Sequence, residues 1–434
     1  MDDLTTLSEA LTPACVDADK FYVRCDPPIT DFTTPYAGTI LITTKTDEVV
    51  ICPTEKTLPA LAGMLDALVF ADGKVVLAWD AKELMTYLSY RLKGRYKPQP
   101  AAQVYDLKVI DRFLGRKSPA PATYASAVAA VRPLAENPKL ARLHKQVHVP
   151  LATRTIPRVE SVGILDTGAQ RRRFSSYEIE GQTHGRLRCE EAFPGCLNPH
   201  TMDDEKKKKL IAGEGRKFVL LDFHNMEVAV LRWLSQDPAL GAILDRADDV
   251  YAGMFEAVMG SACRTPKHRK FIKDTFIAII YGCQAKGLAE SQGIAEDQAA
   301  NLITRIYRTF PVAMRWLEDA QEAVRHSPEY ADHFGRVRSY PKPWKVRNGV
   351  VAGPAAVVCM EKLIALVDRA DGLFDVAASI HDGYLLVADE KNTAAAAAVG
   401  REVLQLPSGL CEGLHLRVSC MTGDNLAEMT EYAF

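Results

Sequence analysis

The chain has 434 residues, material for two or three domains, and its 47% hydrophobic and 25% charged content is that of an ordinary globular protein. A formal net charge of −2 excludes a global basic field, so a nucleic-acid partner would have to be met by local positive charge. Ten cysteines without one C-x-x-C pair exclude the common zinc and thioredoxin-like motifs and read as reduced thiols of a cytosolic protein.

The first twenty residues are acidic, neither a signal peptide nor a basic transit peptide, and no apolar run approaches a membrane span. Residues 1–115 alternate as α/β. Positions 39–42 and 49–52 read as a hairpin, 74–79 as a strand and 82–92 as a helix, and 106–114 continues the alternation. The stretch 115–121, GRKSPAP, has the composition of a boundary. From 122 to about 152 the pattern is helical and Ala-rich, with Lys139, Arg142 and Lys145 along it; 154–173 is basic and ends in Arg171-Arg172-Arg173. Such charge is ordinarily a solvated face, but its clustering upstream of the motifs below points to phosphate-backbone contact. Positions 176–188 read as strand, turn, strand around Gly185, and the lysines at 206–209 as a solvated loop or helix end.

In 217–237, KFVLLDFHNMEVAVLRWLSQD, a short apolar run ends on Asp222, and Met226, Val230 and Trp233 then recur at helical spacing. Asn225 is placed as an N-cap. An acid at a strand end suits a metal ion, and helix capping by Asp222 is the competing reading of this stretch alone. Residues 240–330 have helical periodicity. Within them Arg269, Lys273, Ile277 and Tyr281 are spaced by four, one stripe of a helix with two cations toward its N-terminal end. Phe276, Ile279 and Ile280 supply a separate apolar face, which leaves the cations for a triphosphate; Gly282 permits close backbone approach or ends the helix. Positions 375–389 read as a β-hairpin in which Asp382-Gly383 has type I′ turn composition, and 414–419 as a final strand. Two acids at strand ends, Asp222 and Asp382, can hold two divalent metals roughly 3.5–4 Å apart, and magnesium suits such hard oxygen ligands, with manganese as a substitute.

The order acid-bearing strand, basic helix, acid-bearing hairpin resembles the polymerase domain of the family A DNA polymerases, the family of bacterial DNA polymerase I. D-F-H-N-M-E at 222–227 with L-S-Q-D at 234–237 resembles motif A, R-x-x-x-K-x-x-x-x-x-x-x-Y-G at 269–282 motif B, and H-D at 381–382 motif C. T-x-G-R-L at 183–187 with N-P at 198–199 resembles the segment before motif A, and N-x-x-x-x-G at 348–353 the segment after the fingers. The likeness is collinear over roughly 180–430.

The resemblance implies an α+β, multi-domain right-hand polymerase that extends a primer with dNTPs by two-metal nucleotidyl transfer. Its thumb would be 116–180, its palm 181–240 and 336–434 with an antiparallel sheet, and its fingers 241–335. Residues 1–115 would be a degenerate RNase H-like 3′–5′ exonuclease domain. Asp222, Asp382 and the Phe223 carbonyl would bind two magnesium ions. Arg269 and Lys273 would grip the triphosphate, with Lys273 the proton donor to pyrophosphate. Tyr281 would stack near the templating base and Gly282 let it pass. Arg186 would reach the minor groove, His381 the primer terminus and Asn348 the template. Glu227 would fill the space of a 2′-OH, which argues for dNTPs over rNTPs.

Four positions depart from the family pattern. Ile277 replaces an aromatic ring, Gly383 a Glu, Ala352 a template-side Gln, and Tyr251 a His that touches phosphate. In the N-terminal region, Trp79-Asp80-Ala81-Lys82 and Tyr105-Asp106-Leu107 resemble exonuclease segments, but Asp31-Phe32-Thr33 has Thr where the D-x-E motif needs Glu. No proofreading is therefore expected, as in a compact phage, plasmid or repair enzyme. The implied partners are primer-template DNA and dNTPs in a cytoplasm (the host's, for a viral enzyme), with no membrane; no clamp or accessory protein is identified. The alternatives are a single-subunit RNA polymerase or primase-like enzyme, and a catalytically dead primer-template binding protein.

Overall fold

The structure, a computed structural model, describes residues 15–433 apart from 93–95, 97 and 99. Most of the N-terminal stretch read above as neither signal nor transit peptide lies outside the described residues.

The first sheet has the order β3-β2-β1-β4-β5, built from β1 (Lys20–Asp26), β2 (Thr39–Thr43), β3 (Glu48–Ile51), β4 (Val75–Ala78) and β5 (Gln103–Asp106). Strands β1, β2 and β3 pair antiparallel, while β4 and β5 run parallel to β1. A parallel neighbour needs a crossover, and α1 (Ala81–Arg91) supplies the one between β4 and β5. The expected hairpin, strand and helix are thus present. Strand β1 is additional: Phe21, Tyr22 and Val23 are buried in succession, so no period-two alternation marks it.

After β5, α2 (Leu107–Phe113) and α3 (Tyr124–Ala135) lead into a stretch that is helical throughout residues 138–161. The helix runs beyond the expected limit near 152, past Pro150 and Pro157, because wide turns at His144–His148 and Leu151–Thr155 absorb them. Leu143, Val147, Leu151, Ala152, Ile156 and Val159 are buried in the same core as the second sheet. The basic residues here are partly tertiary fasteners. Arg142 donates to the Gly409 carbonyl at 3.0 Å, Arg154 pairs with Asp368 at 3.2 Å, and Arg173 with Asp166 at 2.9 Å. The strand-turn-strand reading at 176–188 is met by β6 (Ser176–Glu178) and β7 (Arg188–Glu190), with Gly185 at φ +88° between them.

The second sheet centres on β8 (Arg216–His224). It is wholly antiparallel, with β8 between β10 (Gly383–Asp389) and β11 (Arg417–Gly423), β9 (Asp375–Ile380) outside β10, and a short strand, Thr430–Glu431, outside β11. Side chains alternate along β8: Val219, Leu221 and Phe223 enter the large core, while Phe218 and Leu220 meet a smaller cluster with Ile164, Leu210 and Leu385. Strand β11 begins three residues later than the expected 414–419 and ends four residues later. Across the large core runs α4 (Lys345–Arg369), which Gly349, Gly353 and Pro354 hide from helical pattern reading. With a mean hydropathy of 2.0 it is, among the described residues, the one helix long and apolar enough to cross a membrane. That revises the expectation that no run reaches such a length; 83% of its apolar window is buried inside this fold.

Glu180, fully buried at φ +56°, joins these layers. It is paired with Arg336 at 2.7 Å, with His148 at 2.8 Å and with Arg338. Arg336 also pairs with Asp332 at 2.7 Å and donates to the Gly353 carbonyl of α4 at 3.1 Å. Burial works against the Glu180 charge, but Arg336, Arg338 and His148 outweigh it and hold the carboxyl well below its usual range. Its stabilisation is therefore present above the ordinary carboxylate range and lost as pH falls. Glu180→Ala strands buried cations and should cost roughly 3–5 kcal/mol in urea unfolding at neutral pH; Glu180→Gln should flatten the acid limb of the stability curve. A loss under ~1 kcal/mol would contradict the network's role.

Candidate active site

The site grows from the end of β8. The strand continues two residues past Asp222, to His224, before α5 (Met226–Ser235). Asn225 does not cap that helix with its side chain; it turns the chain at φ +55°. In the register Asp222 lies opposite Gly383 on one side and Ser419 on the other. Strands β9 and β10 are joined by His381 and Asp382 alone, with His381 at φ +53°, so the turn sits one residue earlier than Asp382-Gly383. Gly383 already belongs to β10, and close approach explains it: a Cβ there would lie 2.5 Å from the Leu221 carbonyl oxygen and 2.9 Å from Asp222 Oδ1. The departure from Glu at this position therefore keeps space beside Asp222.

The two acids share one electrostatic neighbourhood. The Asp222 side chain is reached by solvent, yet burial, and then the Asp382 and Glu227 charges, push its carboxyl up to about 6 against the pull of Lys273. Burial also raises Asp382, and Glu227 adds to it, while Arg186 and His381 oppose. Arg186 Nη2 stands 2.8 Å from Asp382 Oδ1 and 3.7 Å from Glu227 Oε1. The first pair is not aligned as a hydrogen bond: Asp382 Oδ1 and Arg186 Nη2 are both buried without a hydrogen-bond partner. Glu227 also accepts a hydrogen bond from the Tyr281 hydroxyl at 3.2 Å. Arg186, Glu227, Tyr281 and Asp382 are thus brought together from four separate segments.

Facing them are α6 (Val250–Met259) and α7 (Pro266–Ile280). Arg269 and Lys273 project from α7, exposed, with the guanidinium carbon 5.4 Å and the ammonium 5.7 Å from the centre of the Tyr251 ring. The Tyr251 ring is therefore close to both cations. Ile277 is half-buried against the core. Tyr281 ends α7 and Gly282 follows at φ +84°, as the helix-ending reading requires. Asn348 lies in the first turns of α4, its Oδ1 buried without a partner, and Ala352 is buried one turn further on.

Two residues here escaped the sequence reading. Asp249 caps α6 by accepting from Tyr251 N and Ala252 N, and it pairs with Arg269; the signal was an acid directly before a helical run. His200 Nδ1 accepts from the His381 backbone N–H at 3.2 Å, and the two rings meet edge to face. Burial first, then His381 and Arg186, hold His200 down at about 4. Its only sequence signal was its place after Asn198-Pro199. Arg186, His200 and His381 line a cavity of about 200 Å³ together with Gln182, Cys359 and Ser379.

The donors suit magnesium: two carboxylates and the Phe223 carbonyl are hard oxygens, and Asp382 Oδ1 is a buried charged atom lacking a hydrogen bond. Among the described residues no group of three or more His, Cys, Asp and Glu side chains converges. Magnesium bound by few carboxylates completes its shell with water and phosphate oxygens.

An antiparallel sheet with one acid near the end of its central strand and another in the adjoining turn, faced by a helix that presents two cations, resembles the layout of a polymerase palm against its fingers. Residues 139–428 match the family model of DNA polymerase family A. The chain belongs to that family. It is 28% identical over 169 residues to DNA polymerase I of Chloroflexus aurantiacus, 38% of this chain and 18% of that protein. It is 26% identical over 214 residues to the thermostable DNA polymerase I of Thermus aquaticus, 46% of this chain and 26% of the relative. The chain thus matches about a quarter or less of these relatives' length. The fold is shared with the POL domain of Pol1 from M. smegmatis, solved in complex with DNA primer-template and dNTP, at a TM-score of 0.73, 17% identity and 98% coverage of both chains.

Because Asp222 binds its proton more tightly in the folded chain than at its ordinary value of 3.8, its ionisation costs stability as the pH rises through about 6. Asp222→Asn should raise the Tm of the metal-free protein more at pH ~8 than at pH ~4.5 in scanning calorimetry. A gain equal at both would assign the effect to packing.

Proposed function

We propose that the chain is a template-directed DNA polymerase that extends a primer with dNTPs. The observation that carries this reading is the placement of Asp222, opposite Gly383, beside the turn that carries Asp382, with Arg269, Lys273 and Tyr251 facing them. Two magnesium ions held by Asp222, Asp382 and the Phe223 carbonyl would activate the primer hydroxyl and stabilise the leaving oxygen. The protein's own share is positioning and charge. Arg269 and Lys273 hold the triphosphate, with Tyr251 fixing the spacing between them, and Lys273 donates a proton to the departing pyrophosphate. Arg269 exchanges Asp249 for phosphate as substrate enters, which couples binding to movement of α7 against α6. His381, oriented through His200, meets the primer terminus, and Arg186 reaches the minor groove from its place beside Asp382.

Glu227 sets the sugar. Its carboxylate is held by Tyr281 and faces Arg186, so it cannot swing away from a 2′-OH without losing both. Ile277 offers no ring to the sugar, the one feature that favours a ribonucleotide polymerase.

In the domain map that follows, 181–240 and 336–434 are palm and 241–335 fingers. Residues 116–180, with the helical stretch 138–161, are the thumb. The N-terminal sheet is read as a degenerate exonuclease. Its order and mixed strand directions support this, and its acids are occupied: Asp106 accepts from the N–H groups of Ala81, Lys108 and Val109, Asp80 pairs with Lys108, and Asp31 bonds Thr33.

With a labelled primer and magnesium or manganese, the wild type should add dNTPs, and Asp222→Ala and Asp382→Ala should each lose on the order of a hundred- to a thousand-fold or more in rate. A wild type that adds nothing would leave a primer-template binding protein instead. Glu227→Ala should raise rNTP use relative to dNTP; an unchanged sugar preference and rate would remove its role. Incubation without dNTPs should show no 3′–5′ trimming, and robust trimming would overturn the degenerate-exonuclease reading.

A further inference from the structure

The head of α4 carries a side chain that the reaction above does not use. Trp344, the residue before α4, is 45% exposed, the one aromatic among the exposed large apolar side chains of the described residues. Trp79, Trp233 and Trp316 are all half-buried. The position of Trp344 is tightly defined. A Cβ on Gly282 would lie 2.9 Å from Trp344 Cβ and 3.2 Å from its carbonyl oxygen, so the backbone at the end of α7 touches Trp344 only because residue 282 is glycine. Lys342 Nζ stands 5.6 Å from the indole ring, and Lys342 and Lys345 are both exposed. Four residues beyond Trp344, on the same helical face, Asn348 holds its buried Oδ1 without a hydrogen-bond donor.

These features have one chemistry in common. An exposed ring invites stacking, two lysines beside it invite phosphates, and an orphan amide acceptor invites an N–H from a base edge. Single-stranded nucleic acid offers all three, and base–aromatic stacking is tolerant of sequence. We propose that Trp344 is a stacking platform for the unpaired template base adjacent to the one being copied, with Lys342 and Lys345 on the flanking phosphates and Asn348 on the base edge. The assignment of that strand as template rests on the polymerase reading; the binding itself does not need catalysis. Gly282 then has a second duty: it brings the platform against the end of the fingers helix, so movement of α7 is transmitted to the template strand.

The test compares binding of a primer-template that carries a 5′ single-stranded template extension with binding of the blunt duplex of the same sequence. The wild type should bind the extended DNA more tightly and quench its tryptophan fluorescence as it does. Trp344→Ala should lose that preference, roughly ten-fold, while blunt-duplex affinity stays. Trp344→Phe should keep most of the preference and lose the quenching, which separates stacking from a folding defect. An overhang preference that survives in Trp344→Ala, or quenching that survives in Trp344→Phe, overturns the platform; a surface for a protein partner would give that result. Primer extension by the wild type reads the other proposal separately. Extension with an unchanged overhang preference in Trp344→Ala sinks the platform alone, and Trp344-dependent overhang binding without extension sinks the polymerase alone.

Discussion

The site depends on one strand pairing, β8 against β10, in the register that sets Asp222 opposite Gly383. Strand side chains alternate, so a slip of one residue would send Asp222 into the large core and Leu221 to the surface. Apolar residues on both faces of β8 hold the register: Val219, Leu221 and Phe223 on one, Phe218 and Leu220 on the other. The missing side chain at 383 then permits the closeness the chemistry needs. Burial first raises the affinity of both carboxylates for protons; the Asp382 charge then adds to it at Asp222, and the Glu227 charge at both.

Arg186 and Glu227 manage this charge without cancelling it. Arg186 lies within ion-pair range of Asp382 and close to Glu227 but makes an aligned hydrogen bond to neither Asp382 nor Glu227. Tyr281, from the far end of α7, closes the group by bonding Glu227. The same residue pair that sets the sugar space in the proposed reaction therefore also links the end of α7 to α5. The formal charge of −2 hides this local pattern, with acids gathered on the sheet and cations on the helix facing it.

Buried polar contacts join the N-terminal sheet, through α1, to residues 156–178, beside the apolar core in which Tyr22 and Leu77 of that sheet meet Val219 and Leu221. Lys82 reaches Glu160 at 3.2 Å and the Tyr177 carbonyl at 2.8 Å, and Glu160 also accepts from Thr86 and from Tyr177 N. With Glu180 and its cations, these contacts fix how the layers sit, because a misplaced layer would leave several charged groups unpaired in the interior. The acids of the N-terminal sheet are spent on such structural work. Asp237, at the end of the D-F-H-N-M-E…L-S-Q-D segment, is another instance: it caps two helix starts at once, accepting from Ala239 and Leu240 and from Val312 and Ala313.

Local chemistry was legible in the sequence. The strand before Asp222, the cation stripe on α7, the helix stop at Gly282 and the acid in the 375–389 hairpin each follow from spacing, turn composition or periodicity, and their order pointed to the family. Other elements were hidden because their determinants are not local. Helix α4 contains Gly349, Gly353 and Pro354, which only its burial among other layers makes tolerable. Strand β1 lacks alternation because both its faces are covered. Gly383 reads as a turn glycine until the neighbouring strand is in place, and Asn225 as a cap until its backbone angle is known. His200, Asp249 and Trp344 acquire their surroundings from residues 20 to 181 positions away in the chain. The sequence by itself determined which side chains carry charge and which short segments present them. Tertiary structure alone decided which of them meet, because that depends on register and close approach between segments that no local pattern connects.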